Sequence, residues 1–330
     1  MTGYLRGGMS ALLKKLCIVL MVGTLAGGCA TSGQWDQEGG YFKDFRTFHA
    51  TGEIDYGNIA DSYSADLVIY IADNQYSVMK ELIQDFQKAS PHVKTIYVET
   101  LPPEQILNQQ ILKQGKVNGE KTNQTPDLFG SISAEHLQIL KTQERMETYM
   151  IYAHNKLELM VAKGNPKNIK GPEDLVRDDV VQSHPNPVTE GIFKFYGSQM
   201  LKDLGIYEQV TGNADCKKCW AVPGKTWLTQ RYQEETPQRI ENGKADVGLV
   251  WATDVVVAKS QGRNIDGVPI AAPHNKADKV AYVIGILKDA KNPANAQLYI
   301  NYLRTRRAQQ IYGKYGFVGA SEQELEPQPF

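Results

Sequence analysis

Apolar residues along this chain switch between two periods. Leu67-Val68-Ile69-Tyr70-Ile71 is a continuous apolar run of the kind that makes a strand buried on both faces. After the polar turn Ala72–Ser77, the residues Val78, Met79, Leu82, Ile83 and Phe86 recur at helical spacing, and Pro91 ends that pattern. A second strand follows at Thr95–Glu99, a helix at about Glu104–Lys113, and a short third strand at Pro126–Phe129 that runs into Gly130-Ser131-Ile132-Ser133. A helix then passes through His136 to Lys141. Strand and helix in alternation predict a parallel sheet covered by helices on both faces.

The same grammar resumes at Leu157-Glu158-Leu159-Met160-Val161. A helix is expected near Glu173–Val176, a short strand at Asp179–Val181, and a helix from the turn after it to about Leu204. Later strands are expected at Ala245–Trp251, Val268–Ala271 and Val280–Leu287, with a helix near Pro237–Asn242. Near the end, Asn292 and Pro293 suit a helix start, with Leu298, Tyr299, Tyr302 and Leu303 on one face. Thr305 suits another start, with Ala308, Ile311 and Tyr312 inward. Residues 30 to about 64, rich in Gly, Asp, Ser and Thr, are expected to be a tether and an irregular extension.

The length, 330 residues, allows two domains. Charge is balanced, with 36 basic and 37 acidic residues and no arginine-rich block, so nothing points to nucleic acid as a partner. Arg6, Lys14 and Lys15 precede an apolar run Leu16–Leu25, a secretory leader too short and wrongly flanked for a spanning helix. The segment Leu25-Ala26-Gly27-Gly28-Cys29 resembles a bacterial lipobox, which implies lipidation of Cys29 and a cell-envelope location. Cys17 leaves with the leader and Cys29 takes the lipid, so only Cys216 and Cys219 remain. Outside the cytoplasm such a pair is expected to form a local disulfide. Trp220 stands where a haem-attachment motif needs histidine, and a single such pair is weak support for zinc.

The candidate chemistry gathers at Asn186-Pro187-Val188-Thr189-Glu190-Gly191-Ile192-Phe193. A strand, this turn and a helix would present free backbone N–H groups at the positive end of a helix, a place for an anion. Capping by Thr189 and Glu190 in an ordinary loop explains the same residues. Enzyme signatures are missing: there is no G-x-S-x-G elbow, H-E-x-x-H, P-loop or dinucleotide fingerprint. No cofactor or metal is expected. His136, His154, His184 and His274 are scattered and read as surface or loop residues, and Tyr76, Tyr97, Tyr152 and Tyr282 as core or rim.

Four stretches, Asn155–Pro166, Ala245–Asp254, Leu287–Pro293 and Thr305–Phe317, together resemble the substrate-binding proteins of molybdate, tungstate and sulfate ABC uptake systems. The overlap runs from about Ala65 to Phe317. The resemblance implies a periplasmic binding protein of type II: two doubly wound α/β lobes, joined by two crossing strands, with a ligand cleft between them. It implies a signal peptide over 1–28, a tether and extension over 29–64, a first lobe over 65–156 and 276–330, and a second over 157–275. It further implies a monomer that passes a small anion to a membrane permease. Ligand contacts would be Asn74 and Ser131 from the first lobe, and Thr189, Glu190, Gly191 and Trp251 from the second. Three residues depart from the pattern. Asp73 and Asn74 stand where the family carries small hydroxyl or apolar residues, and Glu190 where sulfate-type members carry serine; the two carboxylates oppose a dianion if they point inward. A zwitterion, a cation or a metal complex is therefore the alternative ligand, and a signalling partner the alternative to a permease.

Overall fold

The computed structural model describes residues 44–113, 116–117, 120–121, 125–187, 190–212, 222, 224–229 and 235–330. Cys29, Thr189, Cys216 and Cys219 lie outside them.

Two sheets organise the described residues. The first has nine strands, ordered Val318–Gly319, Thr148–His154, Ala281–Ile286, Leu128–Ser131, Leu67–Ala72, Thr95–Leu101, Phe45–His49 and Ile54–Tyr56, with Gln328–Pro329 also on Thr148–His154. Its centre is parallel: Leu67–Ala72 pairs with Thr95–Leu101 and with Leu128–Ser131. The second has five strands, ordered Thr226–Leu228, Gln182–His184, Val247–Trp251, Leu157–Ala162 and Ile265–Pro269.

The apolar run 67–72 divides by parity, as a pleated strand must. Leu67, Ile69 and Ile71 pack with Val78, Met79, Leu82, Ile83 and Phe86 of the helix Tyr76–Ala89. Val68 and Tyr70 face the other way, onto Ile106, Leu107 and Phe129. Burying each large apolar side chain contributes about 1.5–3 kcal/mol, so the five on that helix face suffice to dock it. Asp127 ties the strand to the C-terminal helices: it accepts from Val68 N at 2.9 Å and from Asn292 N at 2.7 Å. The Asn292 side chain also goes to Asp127 rather than capping its own helix.

The chain leaves the first sheet at His154, enters the second at Leu157, and returns between Pro269 and Ala281. Asn155, fully buried at the first crossing, acts as a pin. Its Oδ1 accepts from Lys156 N, while its Nδ2 lies 3.0 Å from Thr253 Oγ1 and 3.1 Å from the Tyr282 hydroxyl. Leu157 N donates to Asn275 O at 2.8 Å, joining the two crossing segments.

Some expectations need correction. Residues from Phe45 onward are not irregular: Phe45–His49 pairs with Thr95–Leu101, and Phe45 and Phe48 are buried on opposite faces. The strand expected at Asp179–Val181 lies three residues later, at Gln182–His184. Leu298, placed on the inner helix face, is exposed, whereas Ile300 is buried. His136 and His184 are buried rather than surface residues.

Candidate functional site

Each lobe contributes the loops at the carboxyl ends of its central strands. In the first lobe, Leu67–Ala72 ends in the tight turn Asp73–Gln75. Gln75 locks that turn from beneath, donating to the Tyr152 hydroxyl at 2.6 Å and accepting from the Tyr312 hydroxyl at 2.9 Å. Asn74 is thereby held against Tyr282, to whose hydroxyl its Nδ2 donates. Leu128–Ser131 ends at Ser131, whose hydroxyl lies 2.6 Å from His136 Nδ1 and is fully buried. Burial pushes the His136 ring below its ordinary pKa, so it is neutral at pH 7.

In the second lobe, Gln182–His184 runs into the Asn186 turn. Glu190 N donates to Asn186 O at 2.8 Å, and the helical run that follows begins at Ile192 and continues through Ser198–Asp203. Like any helix start, it has first-turn amides without intrahelical partners. Val247–Trp251 delivers Trp251, which stacks edge-on between Tyr196 at 5.7 Å and Tyr282 at 6.5 Å.

The lobes meet across this site. The Tyr196 hydroxyl of the second lobe donates to Ile132 O of the first at 2.8 Å. Lys194 pairs with Glu104 at 3.0 Å, and Phe195 meets His136 edge-on at 5.8 Å. Gly191 has an ordinary helical φ, so its lack of a side chain is not a turn requirement. A Cβ there would stand 2.8 Å from Ile132 Cδ1, so glycine lets the helix start approach the Ser131 loop. Apolar packing continues through the contact: Trp251, Tyr196 and Tyr282 belong to the same core as the first-lobe strand 67–72.

Of the six residues expected to bind ligand, five are thus gathered at one interlobe contact. Asn74 reaches it through Tyr282 and Ser131 through the neighbouring Ile132, Gly191 and Trp251 meet it directly, and Glu190 adjoins it as the neighbour of Gly191. Asn155, Tyr196 and Tyr282 were missed as site residues. Asn155 opens one of the four resembling stretches, which was the available signal. Nothing local marks the two tyrosines.

Glu190 is the electrostatic centre. It is 8% exposed. Its Oε1 accepts from the Thr229 hydroxyl and, at 3.0 Å, from Asn186 N, while its Oε2 is buried without a partner. Burial pushes its carboxyl up to about 7, the two hydrogen bonds oppose that, and Asp73 and Glu235 reinforce it. The influence of Asp73 places this carboxyl within electrostatic reach of the opposite lobe. A second acceptor, Asn74 Oδ1, is also buried and unpartnered.

This arrangement of two α/β lobes, crossing strands and a contact lined from both sides is that of an interlobe solute receptor. The profile of the bacterial extracellular solute-binding protein family matches residues 67–318, and the chain belongs to that family. Its members bind solutes and are not enzymes. The chain is 27% identical over 164 residues to a putative ABC transporter substrate-binding lipoprotein of Bacillus subtilis (strain 168), covering 49% of this chain and 55% of that one. It is 26% identical over 191 residues to a sulfate-binding protein of Synechococcus elongatus, covering 56% and 53%. The chain therefore spans about half the length of these curated relatives. The periplasmic molybdate-binding protein of Azotobacter vinelandii superposes with a TM-score of 0.59 at 18% identity, covering 77% of this chain and all of that one, which establishes the fold.

Tyr196→Phe removes one hydrogen bond that exists only when the lobes touch. It should favour the open form by about 0.5–1.5 kcal/mol, the usual net worth of such a bond. Small-angle scattering should show a more extended particle for the variant. Identical profiles would mean that the hydroxyl contributes nothing to closure.

Proposed function

We propose that this protein is the lipid-anchored receptor of an ABC uptake system, holding a small oxyanion of the molybdate, tungstate or sulfate type in its interlobe cleft and presenting it to a membrane permease. The observation that carries this reading is the helix start at Gly191–Ile192, pressed against the Ser131 loop of the opposite lobe. Free amides at a helix end favour an anion without any balancing cation. Lys194, a cation at this rim, is exposed and engaged by Glu104. Asn74, Ser131, Thr189, Glu190, Gly191 and Trp251 are the proposed contacts, and Cys29 the anchor. The molybdate- and sulfate-binding activities named for its relatives support the ligand class.

The second reading, a zwitterion, cation or metal complex, rests on Asp73 and Glu190 lying near each other across the contact. A ligand screen separates the two. Protein lacking the leader should gain about 3 kcal/mol of stability at a hundredfold excess of its ligand over the dissociation constant. Molybdate, tungstate or sulfate should give that gain in thermal denaturation. A gain only with amino acids or divalent metals selects the second reading, and no gain with any of them removes both.

A further inference from the structure

The oxyanion reading sets a ligand that only accepts hydrogen bonds beside two residues that each keep a buried acceptor atom without a partner. Asn74 Oδ1 and Glu190 Oε2 are both without partners. The two differ in how they can be put right. Asn155 is fixed in orientation, because its Oδ1 accepts from Lys156 N, so its amide nitrogen donates to the Tyr282 hydroxyl. That hydroxyl still has one hydrogen to give. A half rotation of the Asn74 amide lets Tyr282 donate to Asn74 Oδ1 and frees Nδ2 as a donor. An amide thus exchanges acceptor for donor by turning, whereas a carboxylate can do so only by taking up a proton.

Resting on the oxyanion reading above, we propose that Glu190 touches the ligand through Oε2 and carries one proton when it does, so that the cleft captures an oxyanion together with a proton. The proton comes from solvent. It stays on Oε2 and forms the hydrogen bond to a ligand oxygen, while Oε1 keeps its bonds from Thr229 and Asn186.

The surroundings favour this state. Among the described residues, every group acting on the carboxyl from another element is an acid or a neutral donor: Asp73 from the first lobe, Glu235 from the helix Glu235–Glu241, and the Thr229 hydroxyl. The cations on the adjoining helices are engaged elsewhere. Lys194 is paired with Glu104, Lys202 lies over the Tyr207 ring, and Arg239 is paired with Glu235. Burial already lifts the Glu190 carboxyl to about 7, and an anion beside it lifts it further. An ionised Glu190 would set a buried negative charge against the ligand. Specificity follows, because an oxyanion that is fully deprotonated is the form best matched to a protonated carboxyl. A ligand that brings its own hydrogen competes for the same position.

The test is titration calorimetry of the leaderless wild-type protein with sodium sulfate and sodium molybdate. Titrations run from about pH 6 to about pH 9, each in two buffers of different ionisation enthalpy. At the alkaline end, close to one proton should be taken up per anion bound, and affinity should fall about tenfold per pH unit. In Glu190→Gln, whose amide can donate where the protonated acid does, the slope and the proton uptake should vanish. Should that variant fail to fold, the wild-type proton count decides alone. Binding without proton uptake, or a slope that persists in Glu190→Gln, overturns the inference while leaving the oxyanion reading intact. No oxyanion binding at any pH overturns that reading and this inference with it.

Discussion

Gly248→Ala should destabilise the second lobe by about 3 kcal/mol, the upper part of the range for forcing an extra carbon into a packed core. Gly248 lies in the strand Val247–Trp251, between Ser183 on one side and Met160 on the other. A Cβ there would come within 2.2 Å of Thr236 Cγ2 and 2.9 Å of Ser183 O. Neither neighbour can yield cheaply. Ser183 O is backbone, and Thr236 is fully buried with its hydroxyl 2.9 Å from Ser183 Oγ. The urea midpoint of the variant should fall well below that of wild type. Thr236→Ser, which keeps the hydroxyl and deletes the clashing methyl, should recover part of the loss in the double mutant. An unchanged midpoint in the single variant would show that the helix Glu235–Glu241 shifts aside freely.

That glycine also shows what was legible in the sequence. The stretch Ala245–Trp251 reads as a strand from its apolar residues, and Val247–Trp251 is one: Val247, Leu249 and Trp251 pack to one side, Val250 to the other. A glycine in its middle looks like a weakness by propensity. Its cause is a helix pressed onto the strand, a tertiary fact that local pattern cannot contain. Thr148–His154 is a strand of the first sheet that the pattern did not announce, because exposed and buried residues mix along it and its edge is covered by the short C-terminal strands. The hidden strand Phe45–His49 sits in polar surroundings, and Arg46 breaks its apolar run. Arg46 is nonetheless buried, with its guanidinium 4.0 Å from the centre of the Tyr76 ring.

The site was legible in part for the same reason. The Asn186–Gly191 turn stands out from its own residues, whereas Asn74 and Ser131 are singled out only through the family resemblance, by their places after strands. Which atoms lie free could not be read from either. Ser131 spends its hydroxyl on His136, and that pairing depends on a helix folding back five residues later. Glu190 reads as an N-terminal helix acid stabilised by the helix dipole. Its burial, its bonds from Thr229 and Asn186 and its reach toward Asp73 are tertiary facts that the local pattern does not contain.

A second buried acid lies away from the cleft and should dominate the pH dependence of stability. Glu99 is fully buried in the strand Thr95–Leu101, beside Tyr70 on the neighbouring strand. Gln110 donates to its Oε1, and its Oε2 has no partner. Burial pushes its carboxyl up to about 8 from an ordinary 4.5, with the Gln110 bond opposing and Asp44 adding to the rise. The folded state therefore binds the proton more tightly than the unfolded chain. Glu99 leaves stability untouched below the unfolded value. Between there and about 8 the unfolded chain releases its proton first, so stability falls as pH rises, and the loss is complete above that window. The size is a few kcal/mol, since each unit of difference corresponds to about 1.4 kcal/mol and desolvation of a buried group is partly relaxed. Glu99→Gln keeps an acceptor for Gln110 and cannot ionise. In urea titrations the variant should match wild type within about 1 kcal/mol at acid pH and exceed it by a few kcal/mol above about pH 8. Glu190 titrates in both proteins and cancels in the difference. Parallel stability profiles across that range would show that Glu99 is either ionised in the fold or already relieved by solvent.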